Sequence, residues 1–522
     1  MRKARIGCFA VSLEQEAMTR DTVVMAYPLM GMSGAFVKHA PLGLLYASTE
    51  VLKLGRYKVM LFDARLHPDD WEKRFRALIG PDTLCVGVSV MTGTPILGAL
   101  RMGEIVKETD PAVKVIWGGP FPTFTPNVVL AGDPNCDYTV SGYGAKPFAQ
   151  LLECLRVGHA PSLIPGISWR ENGVPRSTPA DWTNHEFIDY RDIPYDLIPD
   201  YSVYGQLDQD KRIFSLYSAM GCAYNCAFCS SPALYNKIKG KRWQPFPTQD
   251  VVDHIEHVVT RYQADYIYFI DDDSFVSIPH VEAIIDEINR RNIKVKLGFR
   301  GARINEIKLM SHEFLDKLAA AGTDMLHVGA ESGSDRILTL VRKNCTVDDI
   351  IECNRKLAKH NNIQIFYNFI LGLPTETIDD LKGTAKLMLQ LVDEHPGAII
   401  GNPNMFRPLP GTELFNLAVK EWHYKEPETL HDFVAVEVEG TFAPPWLSAK
   451  HFQYCRLLNV ASYFIDDKIG KTTHGGTLFY KLLKTLSNIY APIARTRLRN
   501  NFPYLLIEDT IFRLASKMLA GR

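Results

Sequence analysis

The chain has 522 residues, of which 46% are hydrophobic and 22% charged, and its formal net charge at pH 7 is −1. This length exceeds what one hydrophobic core supports and predicts roughly three domains. The balanced charge gives no electrostatic reason to expect a nucleic acid partner. No run of eighteen apolar residues is present, and Glu14 and Glu16 interrupt the apolar stretch near the N-terminus. The sequence therefore favours a cytoplasmic protein with neither a transmembrane segment nor a signal peptide.

Strand-like and helix-like patterns alternate in the first third of the chain. The candidate strands are residues 59–62, 84–90, 113–117 and 138–140. Segments with helical spacing of apolar residues lie between them, which predicts an α/β, Rossmann-like domain with a parallel sheet over residues 1–175. A stretch rich in proline and acidic residues without clear periodicity, 176–206, is interpreted as a linker.

Loops of small residues follow three of these strands. In parallel sheets ligands bind beyond the carboxyl ends of the strands, and glycine there permits positive φ and close approach to a bulky ligand. Tight strand-to-helix turns are the alternative explanation. No loop matches the dinucleotide fingerprint, which disfavours NAD. The candidate ligand-binding residues are Ser89, Met91, Thr92, Gly93, Gly118, Gly119, Gly142 and Gly144.

A second alternating series occupies residues 207–436. Its candidate strands are 213–217, 266–270, 295–299, 325–328, 365–371 and one near Met405. Six strands alternating with helices predict a (βα)6 partial TIM barrel, although a full barrel is not excluded.

Residues 437–522 are predicted to form a helical extension, with helices at 449–466, 477–490 and 508–519. The extension is basic, and a solvated basic face is the simplest explanation. The alternatives are a surface, including Arg495, Arg497 and Arg499, that caps the barrel mouth and receives an anionic substrate, or peripheral contact with a membrane.

Three of the ten cysteines, Cys222, Cys226 and Cys229, stand together in a C-x3-C-x2-C spacing after the first strand of the predicted barrel. Three thiolates on one loop can hold three irons of a cubane cluster, and no fourth cysteine lies within ligand spacing, so one iron stays open for chemistry. The alternative is a structural zinc site with four ligands, but the nearest histidines, His185 and His254, are distant. The other seven cysteines are predicted to be small hydrophobic residues.

This cysteine motif and the segments that follow the later strands resemble the radical S-adenosylmethionine (SAM) superfamily. The matching segments are 268–273, 299–303, 328–334, 369–377 and 408–414. The resemblance implies that the three cysteines ligate a 4Fe-4S cluster whose fourth iron binds SAM. It also implies a set of SAM-binding residues, namely Phe228, Asp272, Arg303, Glu331 and Ser332.

Several of these residues also have structural explanations. Arg300 or Arg303 can bind the SAM carboxylate, but Arg303 can equally pair with Glu306. Glu331 can be a buried salt-bridge partner, and the acids at 271–273 can be a cluster at a helix N-terminus.

A Rossmann-like domain ahead of such a barrel is the arrangement of the cobalamin-binding class of this superfamily. The resemblance implies that the small-residue loops hold cobalamin. The Asp-x-His-x-x-Gly motif that places a histidine on cobalt is absent. The chain also departs from relatives that carry Gly-Glu-Gly-Glu, since it has Gly142-Tyr143-Gly144-Ala145 at that point.

The resemblance implies an enzyme that reductively cleaves SAM to a 5′-deoxyadenosyl radical. The expected activity is methylation of an unactivated carbon or phosphorus in a small-molecule or lipid-like substrate, with an electron donor such as flavodoxin or ferredoxin. The alternative is a cobalamin-dependent radical oxidoreductase or ring-rearranging enzyme without methyl transfer. A non-catalytic cobalamin or redox sensor is disfavoured, because a sensor needs neither an open cluster nor SAM-binding segments.

Overall fold

The computed structural model describes residues 20–30, 39–204, 212–360, 362–436, 442–467 and 478–504. These residues form two seven-stranded sheets and one two-stranded ribbon. Cys8 and the predicted helix at 508–519 lie outside the described residues.

The first sheet has the order β2-β1-β3-β4-β5-β6-β7. The strands β1 to β5 are parallel, and their order is that of a flavodoxin-like doubly wound sheet, whose ligand site lies where the order reverses, between β1 and β3. The strands are β1 Thr22–Tyr27, β2 Lys58–Asp63, β3 Thr83–Ser89, β4 Lys114–Gly118, β5 Tyr138–Val140, β6 Ile167–Glu171 and β7 Val174–Ser177.

Helices cover both faces of this sheet. They are α1 Leu42–Lys53, α2 Trp71–Arg76, α3 Pro95–Thr109, α4 Pro120–Phe124, α5 Pro126–Gly132 and α6 Ala145–Val157. One core layer packs under α3 and the other under α1 and α6. The predicted Rossmann-like architecture is therefore what the first domain has.

The antiparallel hairpin of β6 and β7 extends the first sheet through Ser177. Its turn is Asn172-Gly173, and both residues have positive φ, 51° and 79°. An Asn-Gly pair between two strands is a strong hairpin signal, because a two-residue turn of this kind needs positive φ at both positions.

The connecting segment after the hairpin, residues 178–204, contains only 3-10 helices of three or four residues. It nevertheless packs tightly. Tyr195, Tyr201 and Tyr204 are buried, and all three belong to the core of the second domain. The Tyr195 hydroxyl and His254 Nε2 form a hydrogen bond of 2.7 Å. Tyr201 stacks on Phe214 with ring centroids 4.3 Å apart. Aromatic side chains thus make this segment part of the barrel wall.

The second sheet is a partial barrel of parallel strands in the order β15-β14-β13-β12-β11-β8. Two short strands share the last strand position of this sheet. The strand β15 pairs with the first half of β14, and β16 pairs with the end of β14. A small antiparallel ribbon, β9 with β10, lies beside the first strand. The strands are β8 Ile213–Leu216, β9 Ala219–Gly221, β10 Trp243–Pro245, β11 Tyr266–Phe269, β12 Lys296–Ala302, β13 Thr323–Glu331, β14 Gln364–Leu371, β15 Ala398–Ile400 and β16 Asn404–Met405.

Most barrel helices pack on the outer face of these strands and enclose the largest core. They are α8 Thr248–Tyr262, α9 Ile278–Arg290, α10 Ile304–Leu309, α11 His312–Ala320, α12 Asp335–Leu340, α13 Val347–Leu357 and α14 Ile378–Glu394. The helices α7 Ser230–Tyr235 and α15 Glu413–Glu421 pack in smaller apolar clusters, and α16 Leu430–Val434 packs against α3 and α5 of the first domain. The predicted partial barrel is confirmed.

Two further helices, α17 Ala449–Ala461 and α18 Leu478–Arg499, pack against α14 and each other. Arg495 donates to Asp393 at 2.5 Å, near the end of α14 that leads into the amino end of β15. Arg499 lies 3.6 Å from the same carboxylate. These two arginines are therefore at the far end of the barrel from its mouth, so the idea that they cap the mouth was wrong. No described helix is both long enough and apolar enough to span a membrane.

Candidate active site

The carboxyl edge of the first sheet brings the predicted small-residue loops together. Val90 accepts a hydrogen bond from Phe121 and donates one to the Gly118 carbonyl at 2.8 Å. The amide of Gly142 donates to the Thr123 hydroxyl at 3.1 Å. The loops after β3, β4 and β5 thus form one continuous surface. Ser89, Met91, Thr92, Gly93 and Gly144 lie on this surface, and their binding of a ligand stays a prediction.

Glycine is needed at two positions on this surface, because each combines positive φ with a close neighbour. Gly119 has φ +94°, and a Cβ there would lie 3.0 Å from the Ser89 hydroxyl oxygen and from the Val90 nitrogen. Gly142 has φ +83°, and its Cβ would meet the Trp182 ring at 3.2 Å. Gly118, in contrast, has nothing within 4 Å of the position of a Cβ, so open space lies above it. Met91 stands at the same edge and is 40% exposed.

The cysteine loop begins at Gly221, where the backbone is left-handed with φ +87°. A Cβ at this position would lie 1.9 Å from the Arg242 carbonyl oxygen and 2.8 Å from the His185 ring. Only glycine can lead the chain from β9 into this turn. Cys222 and Cys226 are buried and Cys229 is half-buried, directly before α7.

Burial shifts the pKa values of two of the thiols, Cys222 and Cys229. It raises the pKa of Cys222 to about 12, and it raises the pKa of Cys229 as well. Binding of iron to these sulfurs would therefore release protons, as is general for thiolate sites.

Arg303 forms a hydrogen bond with the middle cysteine, Cys226. Its Nη1 donates to Cys226 Sγ at 2.9 Å, and its Nη2 donates to the Lys343 carbonyl oxygen at 2.8 Å. The guanidinium lies 3.9 Å from the centroid of the Tyr224 ring, which is a cation–π contact. Its Nε is buried and has no hydrogen-bond partner.

Two buried carboxyl groups lie behind Arg303. Glu306 accepts from the Tyr224 hydroxyl at 2.6 Å and from the Arg303 backbone amide at 3.1 Å. Asp273 lies against Glu306, and burial together with this neighbouring carboxyl raises the pKa of Asp273 well above its usual value. The ion pair of Arg303 with Glu306 that the sequence allowed is not formed, because Glu306 binds only the backbone amide of Arg303 and the guanidinium faces Cys226.

Glu331 is held in a buried ion pair. It follows a register shift between β13 and β14 and has φ +61°, which aims its carboxylate at Lys343 with a separation of 2.7 Å. Both side chains are less than a tenth exposed. Ser332, the next residue, is fully buried, with its hydroxyl 3.4 Å from that of Thr384. The structure therefore contains the buried salt bridge that was the alternative explanation for Glu331.

Two of the acids after β11, Asp271 and Asp272, have different roles. Asp271 is buried and accepts from the backbone and hydroxyl of Ser218, so it fixes the start of the cysteine loop rather than capping a helix. Asp272 is exposed and accepts from Ser231 at 2.5 Å and from Tyr235 at 2.8 Å.

Tyr143 joins the two sheet edges. Its hydroxyl lies 2.7 Å from His185 Nδ1, and His185 Nε2 lies 3.0 Å from the Arg242 carbonyl oxygen. Because that carbonyl only accepts, His185 donates through Nε2 and accepts from Tyr143. Tyr143 also packs in the apolar cluster of Cys222. The residue that departs from the family pattern therefore connects the loops of the first domain to the cysteine loop.

The inside of the barrel has an aromatic layer below an open layer. His39 stacks on Tyr268 at 4.9 Å, Tyr268 meets His327 edge-on at 5.8 Å, and His327 packs on Phe366 at 4.7 Å. His39 comes from the first domain and bonds to Ser215 at 2.9 Å. These four side chains thus form a continuous stack, and each of them remains partly exposed.

One layer closer to the mouth, strand alternation places Tyr217 and Arg300 on the inner face. Arg300 is exposed, and its charge opposes the rise that burial causes in the pKa of Tyr217, which reaches about 12. Tyr217 also lines a cavity of about 260 Å³ between Tyr46 of the first domain and Phe246. At this level the inner face of the barrel thus carries a tyrosine and a cation, whereas the cavity lies between the connecting segment and the start of α8.

Long-range contacts supply the parts of this site that the sequence did not predict. Tyr224, His185 and His39 contribute through contacts with residues at least 42 positions away in the chain, and Lys343 through Glu331, 12 positions away. Tyr224 lies within the cysteine motif, but no local motif marks the other three. Phe228 packs half-buried among apolar residues beside the cysteine loop. The contacts of Phe228, Asp272, Arg303, Glu331 and Ser332 with SAM remain predictions.

Comparison with known families identifies the two domains. A family described as the radical SAM superfamily matches residues 216–388, and one described as the B12 binding domain matches residues 35–152. The chain belongs to the radical SAM proteins that carry a B12-binding domain. The resemblance inferred from the motifs is confirmed.

Relatives of this radical SAM enzyme match along most of the chain. An uncharacterized methyltransferase of Pyrococcus horikoshii is 28% identical over 464 residues, which cover 86% of this chain and 94% of that protein. An anaerobic magnesium-protoporphyrin IX monomethyl ester cyclase of Rubrivivax gelatinosus is 28% identical over 377 residues, covering 70% of this chain and 64% of the cyclase. The structure of the cobalamin-dependent S-adenosylmethionine radical enzyme OxsB, with aqua-cobalamin and S-adenosylmethionine bound, has a TM-score of 0.69 at 16% identity, covering 96% of this chain and 75% of OxsB. This likeness shows the shared fold.

The two domains imply a 4Fe-4S cluster, SAM and cobalamin, and the residues present fit these groups. The buried Arg303 Nε without an acceptor, beside a sulfur that Nη1 already contacts, fits a cluster whose sulfides accept hydrogen bonds. The open space above Gly118 fits a bulky cofactor.

Proposed function

We propose that this radical SAM enzyme is a cobalamin-dependent methyltransferase that acts on an unactivated carbon or phosphorus of a small-molecule or lipid-like substrate. The observation that supports it most is the junction of the two ligand-binding edges. Tyr143 and His185 place the loops of the B12-binding domain directly beside the cysteine loop. The relative that matches over 94% of its own length is also named as a methyltransferase.

Each cofactor has a set of residues to hold it. Cys222, Cys226 and Cys229 would ligate the cluster. The loops of the first sheet, from Ser89 to Gly93, with Gly118 and Gly119, and at Gly142 and Gly144, would hold cobalamin. When bound, the reduced cluster supplies the electron that cleaves SAM, and cobalamin supplies the methyl group.

The SAM pocket would lie between the cysteine loop and the ends of β11, β13 and β14. Phe228 offers an apolar surface there, and Asp272, Glu331 and Ser332 stand at the strand ends. Both Nη groups of Arg303 are engaged, whereas Arg300 is exposed in the lumen. Arg300 is therefore the better candidate to bind the SAM carboxylate.

The barrel residues would protect a radical reaction. The stacked side chains of His39, Tyr268, His327 and Phe366 would limit the access of water from below once the cofactors and substrate fill the lumen. Tyr217 and Arg300 would position the substrate and SAM above this stack. Exclusion of water keeps a reactive radical from side reactions.

The enzyme is proposed to work in the cytoplasm, where a flavodoxin or a ferredoxin supplies the electron. Rates of SAM cleavage with each reduced donor, compared with a chemical reductant, would identify the better one.

A cobalamin-dependent radical enzyme without methyl transfer is the second candidate, because the Rubrivivax gelatinosus relative is named as a cyclase. Hydrogen abstraction would need the same cysteine loop in both cases. The two candidates differ in whether SAM also becomes a methyl donor.

The test is anaerobic reconstitution with iron, sulfide and cobalamin, followed by reduction in the presence of SAM. We expect both 5′-deoxyadenosine and S-adenosylhomocysteine by mass spectrometry. Deoxyadenosine without S-adenosylhomocysteine, in the presence of a substrate-containing extract, would favour the second candidate.

The matched variants are Cys222→Ala and Cys154→Ala. Cys154 is half-buried in α6, far from the cysteine loop, so its variant should retain product formation. Cys222→Ala should form neither product. Equal activity of the two variants would contradict the assignment of the cluster.

A further inference from the structure

Charged groups lie close to the cysteine loop. The cations Arg303 and Lys343 lie beside Cys226, and the Arg303 contact is a hydrogen bond of 2.9 Å to the sulfur. The carboxyl groups of Asp273 and Asp272 lie near Cys222, and Asp273 also lies against Glu306 behind Arg303. Arg303 is thus a cation in direct contact with a sulfur of the loop.

Arg303 cannot easily turn away from Cys226. It is only 6% exposed, its Nη2 is bound to the Lys343 carbonyl, and its plane rests on Tyr224. Tyr224 is itself fixed by Glu306. A guanidinium fixed in this way is unsuited to follow a SAM carboxylate that arrives and leaves during each turnover.

A cation that donates to a cluster sulfur has a definite electronic effect. Reduction adds negative charge to a cluster, so a nearby positive charge stabilises the reduced form more than the oxidised form. Hydrogen bonds to the sulfurs act in the same direction and are among the factors that set cluster potentials. Burial makes both effects stronger than they would be in water.

We propose that Arg303 is a positioning residue that fixes Cys226 through a charged N–H···S hydrogen bond and raises the reduction potential of the cluster. It acts on the ease of electron entry and does not bind the SAM carboxylate. This inference rests on the proposed assignment of the three cysteines to the cluster.

The first test compares cluster potentials without SAM, by redox titration followed with electron paramagnetic resonance (EPR). Arg303→Gln removes the charge, and we expect its reduction equilibrium to become at least tenfold less favourable, which is about 59 mV for one electron. Arg303→Lys keeps the charge and should shift the potential less. The control is Arg342→Gln, which removes an exposed arginine paired with Glu413 and should leave the potential unchanged.

SAM binding separates this role from the alternative. The change in the EPR spectrum on adding SAM should give a similar SAM affinity for wild type and Arg303→Lys. Loss of SAM affinity with an unchanged potential would show that Arg303 binds SAM, and would overturn the proposal.

A measurement on the wild-type protein covers the case in which Arg303→Gln does not fold. With ¹⁵N-labelled arginine, the reduced cluster should show a weak nitrogen coupling that disappears in Arg303→Lys. Absence of this coupling in wild type would overturn the inference. If wild type holds no 4Fe-4S cluster at all, the proposed function fails first, and iron analysis distinguishes that outcome.

Discussion

The carboxyl edges of the two sheets are built in different ways. The edge of the B12-binding domain is shaped by backbone geometry, with positive-φ glycines and hydrogen bonds between neighbouring loops. The edge of the barrel is clasped by buried charges, among them Arg303, Lys343 and Glu331. Substitutions that add atoms should therefore disturb the first edge most, and substitutions that remove a charge should destabilise the second edge most.

The largest expected effect is the loss of one partner from the buried ion pair. Lys343→Met leaves Glu331 as an uncompensated buried carboxylate, which costs about 3–5 kcal/mol of stability. Chemical denaturation of the apoprotein measures this loss.

The double variant Lys343→Met, Glu331→Gln should recover much of it, because no buried charge is left unpaired. The control Lys382→Met changes an exposed lysine beside Asp379 and should alter stability by less than about 0.5 kcal/mol. Full additivity in the double variant would contradict the buried ion pair.

A second effect of buried charge at this edge is a dependence on pH. Burial raises the pKa of Glu376 from 4.5 to about 8, despite the amides of Gly372 and Leu373 that donate to it. The folded protein keeps this proton where the unfolded chain has released it. Stability from this group is therefore complete below about pH 4.5 and is lost as the pH rises through 8.

Between pH 5 and pH 8 the wild type should lose about 3 kcal/mol of stability relative to Glu376→Gln, since each pKa unit corresponds to about 1.4 kcal/mol. Unfolding free energies of both proteins across this range provide the measurement. Parallel pH profiles would show that Glu376 keeps an ordinary pKa.

The smallest effect belongs to the glycine-shaped edge. Gly119→Ala forces a side chain into positive φ and close contact with Val90, which costs about 1–3 kcal/mol of stability. Gly118→Ala should leave folding unchanged but lower cobalamin affinity about tenfold, roughly 1.4 kcal/mol, because its Cβ enters the proposed cofactor space.

Spectroscopic titration with cobalamin distinguishes the two glycine variants. Undiminished cobalamin affinity in Gly118→Ala would place the cofactor elsewhere.

Sequence patterns predicted the two α/β domains because alternation of strands and helices is a local signal. The strand β1, Thr22–Tyr27, which lies between β2 and β3, was not predicted, because periodicity alone does not distinguish a short buried apolar run from part of a buried helix. The strand β15, Ala398–Ile400, was also missed, and the sixth strand was placed instead near Met405, where β16 lies. The β6–β7 hairpin was also missed, although Asn172-Gly173 marks its turn.

The candidate site was predictable only in its local parts. The cysteine spacing lies within eight residues, so it is visible in the sequence. The contact between Arg303 and Cys226 joins residues 77 positions apart, and its geometry depends on the packing of Tyr224 and Lys343. Sequence alone could therefore name Arg303 but could not decide which group it contacts.

The most direct test of methyl transfer uses SAM with a deuterated methyl group. The reconstituted, reduced enzyme is incubated anaerobically with fractions of a cell extract, and products are followed by mass spectrometry. The account predicts a product that carries the deuterated methyl group and is absent with Cys222→Ala. Steady formation of 5′-deoxyadenosine without a labelled product in any fraction would contradict the assignment as a methyltransferase.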